Sequence, residues 1–189
     1  MGRGERIHTR SINVECYELT EGGLLIEGTL TDERFFPYMI YATQQVEAPG
    51  PIHQMVVSMV ISLPELIIDK VEVRMPVIPM PECEETKKTL ARLNNLQIRP
   101  GLTSEIRKIL GKGAGCLHLT NLVLAMVSAA MQGIWSNFSR IRGDRPVEVP
   151  DTDLSIMIDS CWMWRQGGPL AKRITAKQRE LREKRAIRG

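Results

Sequence analysis

The residues with the clearest chemical potential lie in the glycine-rich segment 111–120, Gly-Lys-Gly-Ala-Gly-Cys-Leu-His-Leu-Thr. Glycines before a helix allow positive φ angles and a close approach of the backbone to a ligand, and a helix start offers free N–H groups to an anion. The Gly-Lys-Ser/Thr ending of a P-loop is absent. We therefore interpret Gly113 and Gly115 as ligand-facing, although a tight helix connection without a ligand explains the same pattern.

Cys116 and His118 follow at the start of the strongest predicted helix. The positive end of the helix dipole disfavours imidazolium, so a neutral His118 is suited to donating or accepting a proton near neutral pH. A thiol at a helix start can act as a nucleophile. A packed, hydrogen-bonded histidine and an inert buried cysteine are the structural alternatives, and the latter is the commoner fate of a cysteine.

The other candidate acid–base groups belong to predicted strands. His53 begins a strand after Ala-Pro-Gly-Pro, His8 lies near the start of the first strand, and Asp32 lies at a strand end where turn or surface charge is the ordinary role. A site that combines these two histidines with His118 is conceivable. None of their spacings matches a recognised ligand pair, so we predict no metal, and the absence of a dinucleotide fingerprint predicts no cofactor.

Two further groups of side chains suit substrate binding. Arg10, Arg34 and Arg74 are candidate carboxylate clamps, with solvated surface as the alternative. Trp162 and Trp164 would share one face if their segment were a strand, where they could stack on an aromatic substrate. Core packing or a subunit interface explains the tryptophans equally well.

Composition limits the class of protein. The 189 residues suffice for one sizeable core, and the four cysteines form no Cys-x-x-Cys pair, which argues against a closed zinc finger. Residues 172–189 hold eight Lys/Arg against two Glu, so the tail carries a charge of +6. Because the net charge of the whole chain is +3, the remaining residues together carry −3. Nucleic-acid binding by the body is therefore not expected. The sequence has no uninterrupted apolar run of membrane-spanning length and no signal peptide, which predicts a cytoplasmic protein that does not span a membrane.

The periodicity changes midway along the chain. Alternating or β-branched patterns predict antiparallel strands in the first half, and helical patterns follow, with Thr103 as an expected N-cap and Leu102 as a hydrophobic staple in front of it. The strands are expected at residues 6–17, 24–31, 53–63 and 67–75, and the helices at 82–93, 104–110, 116–133 and, if the tail is ordered, 172–188. We predict an α+β fold in which an antiparallel sheet from the N-terminal half packs against helices of the C-terminal half. The predicted organisation is a single domain at 1–171 and a basic, helical or disordered tail at 172–189.

Residues 6–165 resemble a bacterial family of domains of unknown function. The motifs that carry the resemblance are Arg6-x-His8-x-Arg10, Gly28-x-Leu30-x-Asp32, Pro51-x-His53-x-Met55, Pro81-x-Cys83, Gly115-Cys116-x-His118-Leu119 and Asp159-x-Cys161. The chain departs from the family in a first spacing shorter by one, in Gln54 where an aspartate is usual, and in the basic tail. The resemblance implies a place in aromatic or acyl-thioester catabolism in proteobacteria, and hence a small-molecule enzyme.

The leading hypothesis is a cofactor-independent lyase acting on a small aromatic, lignin-derived or phenylpropanoid-type substrate. His118 and His53 would share the acid–base work, with Asp32 as a carboxylate, and release of formaldehyde or carbon dioxide would suit such a site. The first alternative is a Cys116- and His-dependent acyl-thioester hydrolase. The second is a non-catalytic binding or assembly protein whose tail engages an acidic partner. A homo- or hetero-oligomer is expected under all three.

Overall fold

A computed structural model of the protein describes residues 2–140 and 157–188. The chain divides into two compact units, Met1–Ile134 and Trp135–Gly189. The predicted division into a domain at 1–171 and a tail at 172–189 stays a prediction.

The first unit contains a four-stranded antiparallel sheet in the order β1-β2-β5-β6. A two-stranded hairpin of β3 and β4 is inserted between β2 and β5. The strands are β1 (His8–Glu18), β2 (Leu24–Arg34), β3 (Tyr38–Ile40), β4 (Gln45–Glu47), β5 (Gly50–Ser62) and β6 (Ile67–Val77). The four long strands are those that the alternation predicts, with ends that differ by up to three residues, whereas the short hairpin was not predicted. The α+β prediction is confirmed.

One face of the sheet is buried because β2 and β5 alternate strictly. The buried positions are Leu24, Ile26, Gly28, Leu30 and Asp32 on β2, and Met55, Val57, Met59 and Ile61 on β5. Complete burial of each such aliphatic side chain contributes roughly 1.5–3 kcal/mol. Asp32 continues this apolar series at its end, so a carboxylate lies on the core face of the sheet.

Helices follow the sheet along the chain. They are α1 (Lys87–Leu90), which is flanked by 3₁₀ turns at Pro81–Thr86 and Ala91–Leu93, then α2 (Leu102–Leu110), α3 (Leu117–Phe138) and α4 (Pro169–Arg188). The prediction that Thr103 caps α2 is wrong. The carbonyl of Gly101 accepts hydrogen bonds from the N–H groups of Ser104 and Glu105, and Gly101 is the N-cap in the left-handed region at φ 93°.

Helix α3 lies close against the sheet because glycines leave room for it. A Cβ added to Gly28 would lie 2.6 Å from the Sδ of Met126, and one added to Gly133 would lie 2.8 Å from Cys16. The buried positions of α3 in this unit are Leu119, Thr120, Leu122, Val123, Met126, Val127, Ala130 and Ile134. This contact fixes where the first turn of α3, and therefore His118, lies over the sheet.

Helix α3 is also long and apolar enough to cross a membrane, by length and composition alone, over Leu117–Asn137. The core helix of a soluble domain meets the same criteria, and one side of α3 is buried in the core. The expectation that no segment spans a membrane stays a prediction.

The second unit carries the tryptophans. Its described part comprises residues 135–140, which include the end of α3, then turns at residues 157–168 and α4. Trp164 is 5% exposed and its ring meets that of Trp135 edge-on at 6.0 Å, whereas Trp162 is 68% exposed. The expectation that Trp162 and Trp164 share one face of a strand is wrong, because the chain turns there. Residues 141–156, which precede these turns in the chain, lie outside the described residues.

Candidate active site

Three strands bring polar side chains into a single row on the buried face. Arg10 pairs with Asp32 across β1 and β2, and Asp32 pairs with His53 across β2 and β5. Residues directly opposite each other on neighbouring strands project to the same face. The row therefore lies on the side of the sheet that α3 covers, at the end where the apolar alternation of β2 stops.

Asp32 is the centre of the row and is 2% exposed. Arg10 binds it in a bidentate ion pair, with 2.7 Å from Nε to Oδ1 and 2.7 Å from Nη2 to Oδ2. Burial by itself would raise the pKa of Asp32, but the hydrogen bonds and charge of Arg10, together with His118 and His53, hold that pKa below its ordinary value. Asp32 is therefore an ionised carboxylate whose charge Arg10 balances.

All three histidines of the chain converge on this carboxylate. The Nε2 of His8 lies 3.4 Å from Oδ1, while the Nδ1 of His53 and the Nε2 of His118 each lie 3.3 Å from Oδ2. The rings of His53 and His118 are stacked, with centroids 3.9 Å apart and planes at 29°. The Nδ1 of His53 is buried, and the carboxylate of Asp32 is the polar group that it faces.

Burial lowers the pKa of both stacked imidazoles. For His53 the neighbouring His118 lowers the pKa further, and for His118 the charge of Arg10 does so, in each case against the opposing effect of Asp32. Both rings are therefore neutral near pH 7 and able to accept a proton.

Cys116 completes the arrangement from the other side of His118. Its Sγ lies 3.4 Å from the Nδ1 of His118, so one ring nitrogen faces a thiol while the other faces the carboxylate of Asp32. A nucleophile, a base and an orienting acid in this order form the arrangement used in nucleophilic catalysis. The arrangement can move a proton from sulfur to nitrogen while the carboxylate stabilises the imidazolium.

The loop before α3 holds Cys116 in place. Lys112 and Gly113 have positive φ angles of 55° and 77°, and the Oγ1 of Thr89 donates a 2.8 Å hydrogen bond to the carbonyl of Ala114. A Cβ on Gly115 would lie 2.9 Å from the carbonyl oxygen of Leu110. The two glycines predicted to face a ligand thus shape the turn that delivers Cys116, and Gly113 is exposed.

Comparison with known proteins gives a family. Residues 8–132 match a family described as a protein of unknown function, DUF2889. The chain belongs to the DUF2889 family. No curated protein and no solved structure matches. The predicted membership of a family of domains of unknown function is confirmed, and the DUF2889 segment contains every residue of the cluster around Asp32.

The remaining candidate binding residues differ in position. Arg34 lies at the end of β2, beside the cluster, with its guanidinium 4.5 Å above the ring of Tyr38. Arg74 pairs with Val56, which alternates with the buried positions of β5, so it projects from the opposite face of the sheet. The structure does not bring it to the cluster. Trp162 belongs to the second unit, outside the DUF2889 segment, and its role stays a prediction.

The cluster around Asp32 contains donor atoms of the kind that bind metals. Single donor atoms of Asp32, His53 and His118 all lie within 4.8 Å of one another. Two features argue against an ion among them in these positions. Arg10 already occupies both carboxylate oxygens. Imidazoles that share a tetrahedral zinc ion diverge from it, so their centroids would lie about 5 Å apart for ordinary Zn–N bonds, whereas these rings are stacked.

Proposed function

We propose that the chain is a cysteine-dependent hydrolase of small acyl thioesters. The observation that carries this proposal is the position of His118, with Nδ1 3.4 Å from the Sγ of Cys116 and Nε2 3.3 Å from Oδ2 of Asp32. From the sequence alone, this hydrolase was the first alternative to the lyase. The geometry favours it because a nucleophile, its base and an orienting carboxylate are already in line.

The reaction runs through an acyl-enzyme. The Nδ1 of His118 accepts the thiol proton as the Sγ of Cys116 attacks the thioester carbonyl, and the departing thiol takes that proton as the substrate C–S bond breaks. Water then attacks the new thioester on Cys116, with His118 accepting a proton from the water and returning one to Sγ. The products are a carboxylic acid and a thiol, and no oxidant, reductant or metal is consumed.

The start of α3 supplies the electrostatic part of catalysis. The first N–H groups of a helix have no intrahelical acceptor, and Cys116 directly precedes Leu117, the first residue of α3. Under this proposal the free donors and the positive end of α3, which follow Cys116 directly in the chain, are available to the oxygen of the attacked carbonyl. Such donors stabilise the negative oxygen of a tetrahedral intermediate and commonly contribute about 10²–10³ in rate.

The test is hydrolysis of acetyl, benzoyl and cinnamoyl thioesters by wild type, Cys116→Ser and Cys161→Ser. We expect Cys116→Ser to lose roughly 10³-fold or more in kcat, as loss of a nucleophile does elsewhere. Cys161→Ser is the matched control, because this exposed cysteine lies in the second unit. Hydrolysis by Cys116→Ser at the wild-type rate would refute the proposal.

The cofactor-independent lyase remains a second candidate, favoured by the stacked His53–His118 pair. One of the two neutral imidazoles accepts the phenolic proton of a small substrate, and the imidazolium that forms returns a proton to the product as a carbon–carbon or carbon–oxygen bond breaks. This reaction does not need the thiol. Release of formaldehyde or carbon dioxide from aromatic compounds by Cys116→Ser, with loss of that release in His53→Gln, would support the lyase. Cytoplasmic localisation and oligomerisation stay predictions.

A further inference from the structure

We propose that Arg34, with His8 beside it, binds an anionic group of the substrate, a carboxylate or a phosphate, next to the reaction centre. The proposal rests on the hydrolase function for the identity of the reacting bond. The binding of an anion at Arg34 does not depend on it and is measured separately.

Arg34 occupies the row of the sheet next to the cluster. It pairs with His8 on β1 and with Gly50 on β5, two residues beyond the Arg10–Asp32–His53 row on β2. Alternate residues of a strand share a face and lie roughly 7 Å apart. An anionic group at Arg34 would therefore lie within a small molecule's length of the cluster.

The guanidinium of Arg34 is available to a ligand, in contrast to that of Arg10. Both oxygens of Asp32 engage Arg10, whereas among residues 2–140 and 157–188 no carboxylate lies within ion-pair distance of Arg34. The flat face of Arg34 rests on Tyr38 at 4.5 Å. Stacking of this kind fixes a guanidinium and leaves its edge N–H donors free for a bidentate anion.

The row has open space at its β5 end. A Cβ added to Gly50 would meet nothing within 4 Å, so the position opposite Arg34 holds neither a side chain nor a neighbour. The side chain of His8, at the other end of the row, is 47% exposed. The row thus combines a fixed cation, a half-exposed imidazole and an opening.

The charge balance also favours an anion. Arg10 neutralises Asp32, and the pKa values of His53 and His118 are lowered, so the cluster itself is close to neutral. Arg34 adds an uncompensated positive charge beside it, which attracts and orients an anionic ligand. A carboxylate on the acyl chain and a phosphate on the thiol carrier are the two sources of such a charge.

Three substrates separate these sources: the acetyl and succinyl thioesters of N-acetylcysteamine, and acetyl-CoA. We expect Arg34→Gln to raise KM by about tenfold to a hundredfold for the substrate whose anion is bound, with kcat nearly unchanged. The neutral acetyl thioester should be affected little. A selective effect on the succinyl thioester identifies an acyl carboxylate, and one on acetyl-CoA identifies a carrier phosphate. Equal effects on all three substrates, or none, would overturn the proposal.

Arg74→Gln is the matched control, because Arg74 lies on the opposite face of the same sheet and should leave every KM unchanged. Binding of succinate and inorganic phosphate, measured by calorimetry without turnover, separates the two proposals. Arg34-dependent binding of either anion in a protein that hydrolyses no thioester would sustain the anion site and reject the hydrolase. Hydrolysis that depends on Cys116 but does not change with the charge of the substrate would sustain the hydrolase and reject the anion site.

Discussion

Cys116 and His118, two residues apart at the start of α3, face each other with 3.4 Å between Sγ and Nδ1. The spacing alone does not ensure this contact. It depends on the loop that delivers Cys116 and on the close packing of α3 over Gly28, which together place His118 between a thiol and a buried carboxylate. The proposed chemistry follows from this placement.

The ion pair of Asp32 and Arg10 should contribute to stability as well as to catalysis. Asp32→Asn removes the buried charge and leaves the partly exposed Arg10 without its partner, so we expect the free energy of unfolding to fall by roughly 2 kcal/mol. Urea denaturation measures it. Glu105→Gln, which breaks the exposed pair with Arg99, is the control and should change stability by less than about 1 kcal/mol. Equal small effects of both changes would contradict a structural role for the Asp32 pair.

Part of this arrangement was predictable from sequence and part was not. Strand alternation placed β2 and β5 within a few residues, and the types of Asp32, His53, Cys116 and His118 marked them as candidates. Their convergence depends on register, because a shift of one residue moves a side chain to the other face. The pairing of Arg10 with Asp32 could have been predicted from the turn before β2, because counting residues along both strands away from that turn brings the two opposite each other.

The sequence analysis misjudged one candidate residue and missed one element, each for an identifiable reason. Arg74 was a candidate clamp because of its charge, but it alternates with Val73 and Met75 along β6 and so projects from the face of the sheet opposite the cluster. Charge alone does not indicate the face to which a side chain belongs. The β3–β4 hairpin has strands of only three residues and β4 is fully exposed, so the sequence there has no alternation of apolar residues that would predict a strand.

Stability should depend on pH through the buried imidazoles. His53 and His118 have folded pKa values below that of an unfolded histidine, about 6.5, so the unfolded chain binds more protons below that pH. The free energy of unfolding is therefore greatest above pH 6.5 and falls as pH drops through 6.5 toward the folded pKa values. Urea unfolding at pH 7.5 and 5.0 measures this fall, above the range in which Asp32 titrates. The His53→Gln/His118→Gln double variant should lose much less stability over this interval. An undiminished loss would assign it to other groups.

The close packing of α3 predicts a sensitive glycine. Gly28→Ala places a Cβ 2.6 Å from the Sδ of Met126 and 3.0 Å from Leu122, so we expect about 1–3 kcal/mol of destabilisation and reduced activity as His118 shifts. Thr29→Ala, on the other face of the same strand, is the control and should preserve activity. Wild-type activity and stability in Gly28→Ala would contradict this expectation, because they would show that α3 can move away from the sheet without cost.

Removal of metals should leave activity intact. The bidentate Arg10 pair and the stacked rings do not fit an ion held by Asp32, His53 and His118, and no step of the proposed reaction involves one. Dialysis against a chelator, followed by elemental analysis and assay, checks this. Loss of activity on chelation, restored by one divalent ion, would require Arg10 to release Asp32 and would replace the thiol mechanism.

The acyl-enzyme is the most direct test of the central claim. Wild type is mixed with a benzoyl thioester, quenched with acid within milliseconds to seconds, and analysed by intact-mass spectrometry and peptide mapping. We expect a benzoyl adduct on Cys116 that forms before free benzoate, is absent in Cys116→Ser and forms far more slowly in His118→Ala. Benzoate released without an adduct and at an undiminished rate by Cys116→Ser, or an adduct on another residue, would contradict it.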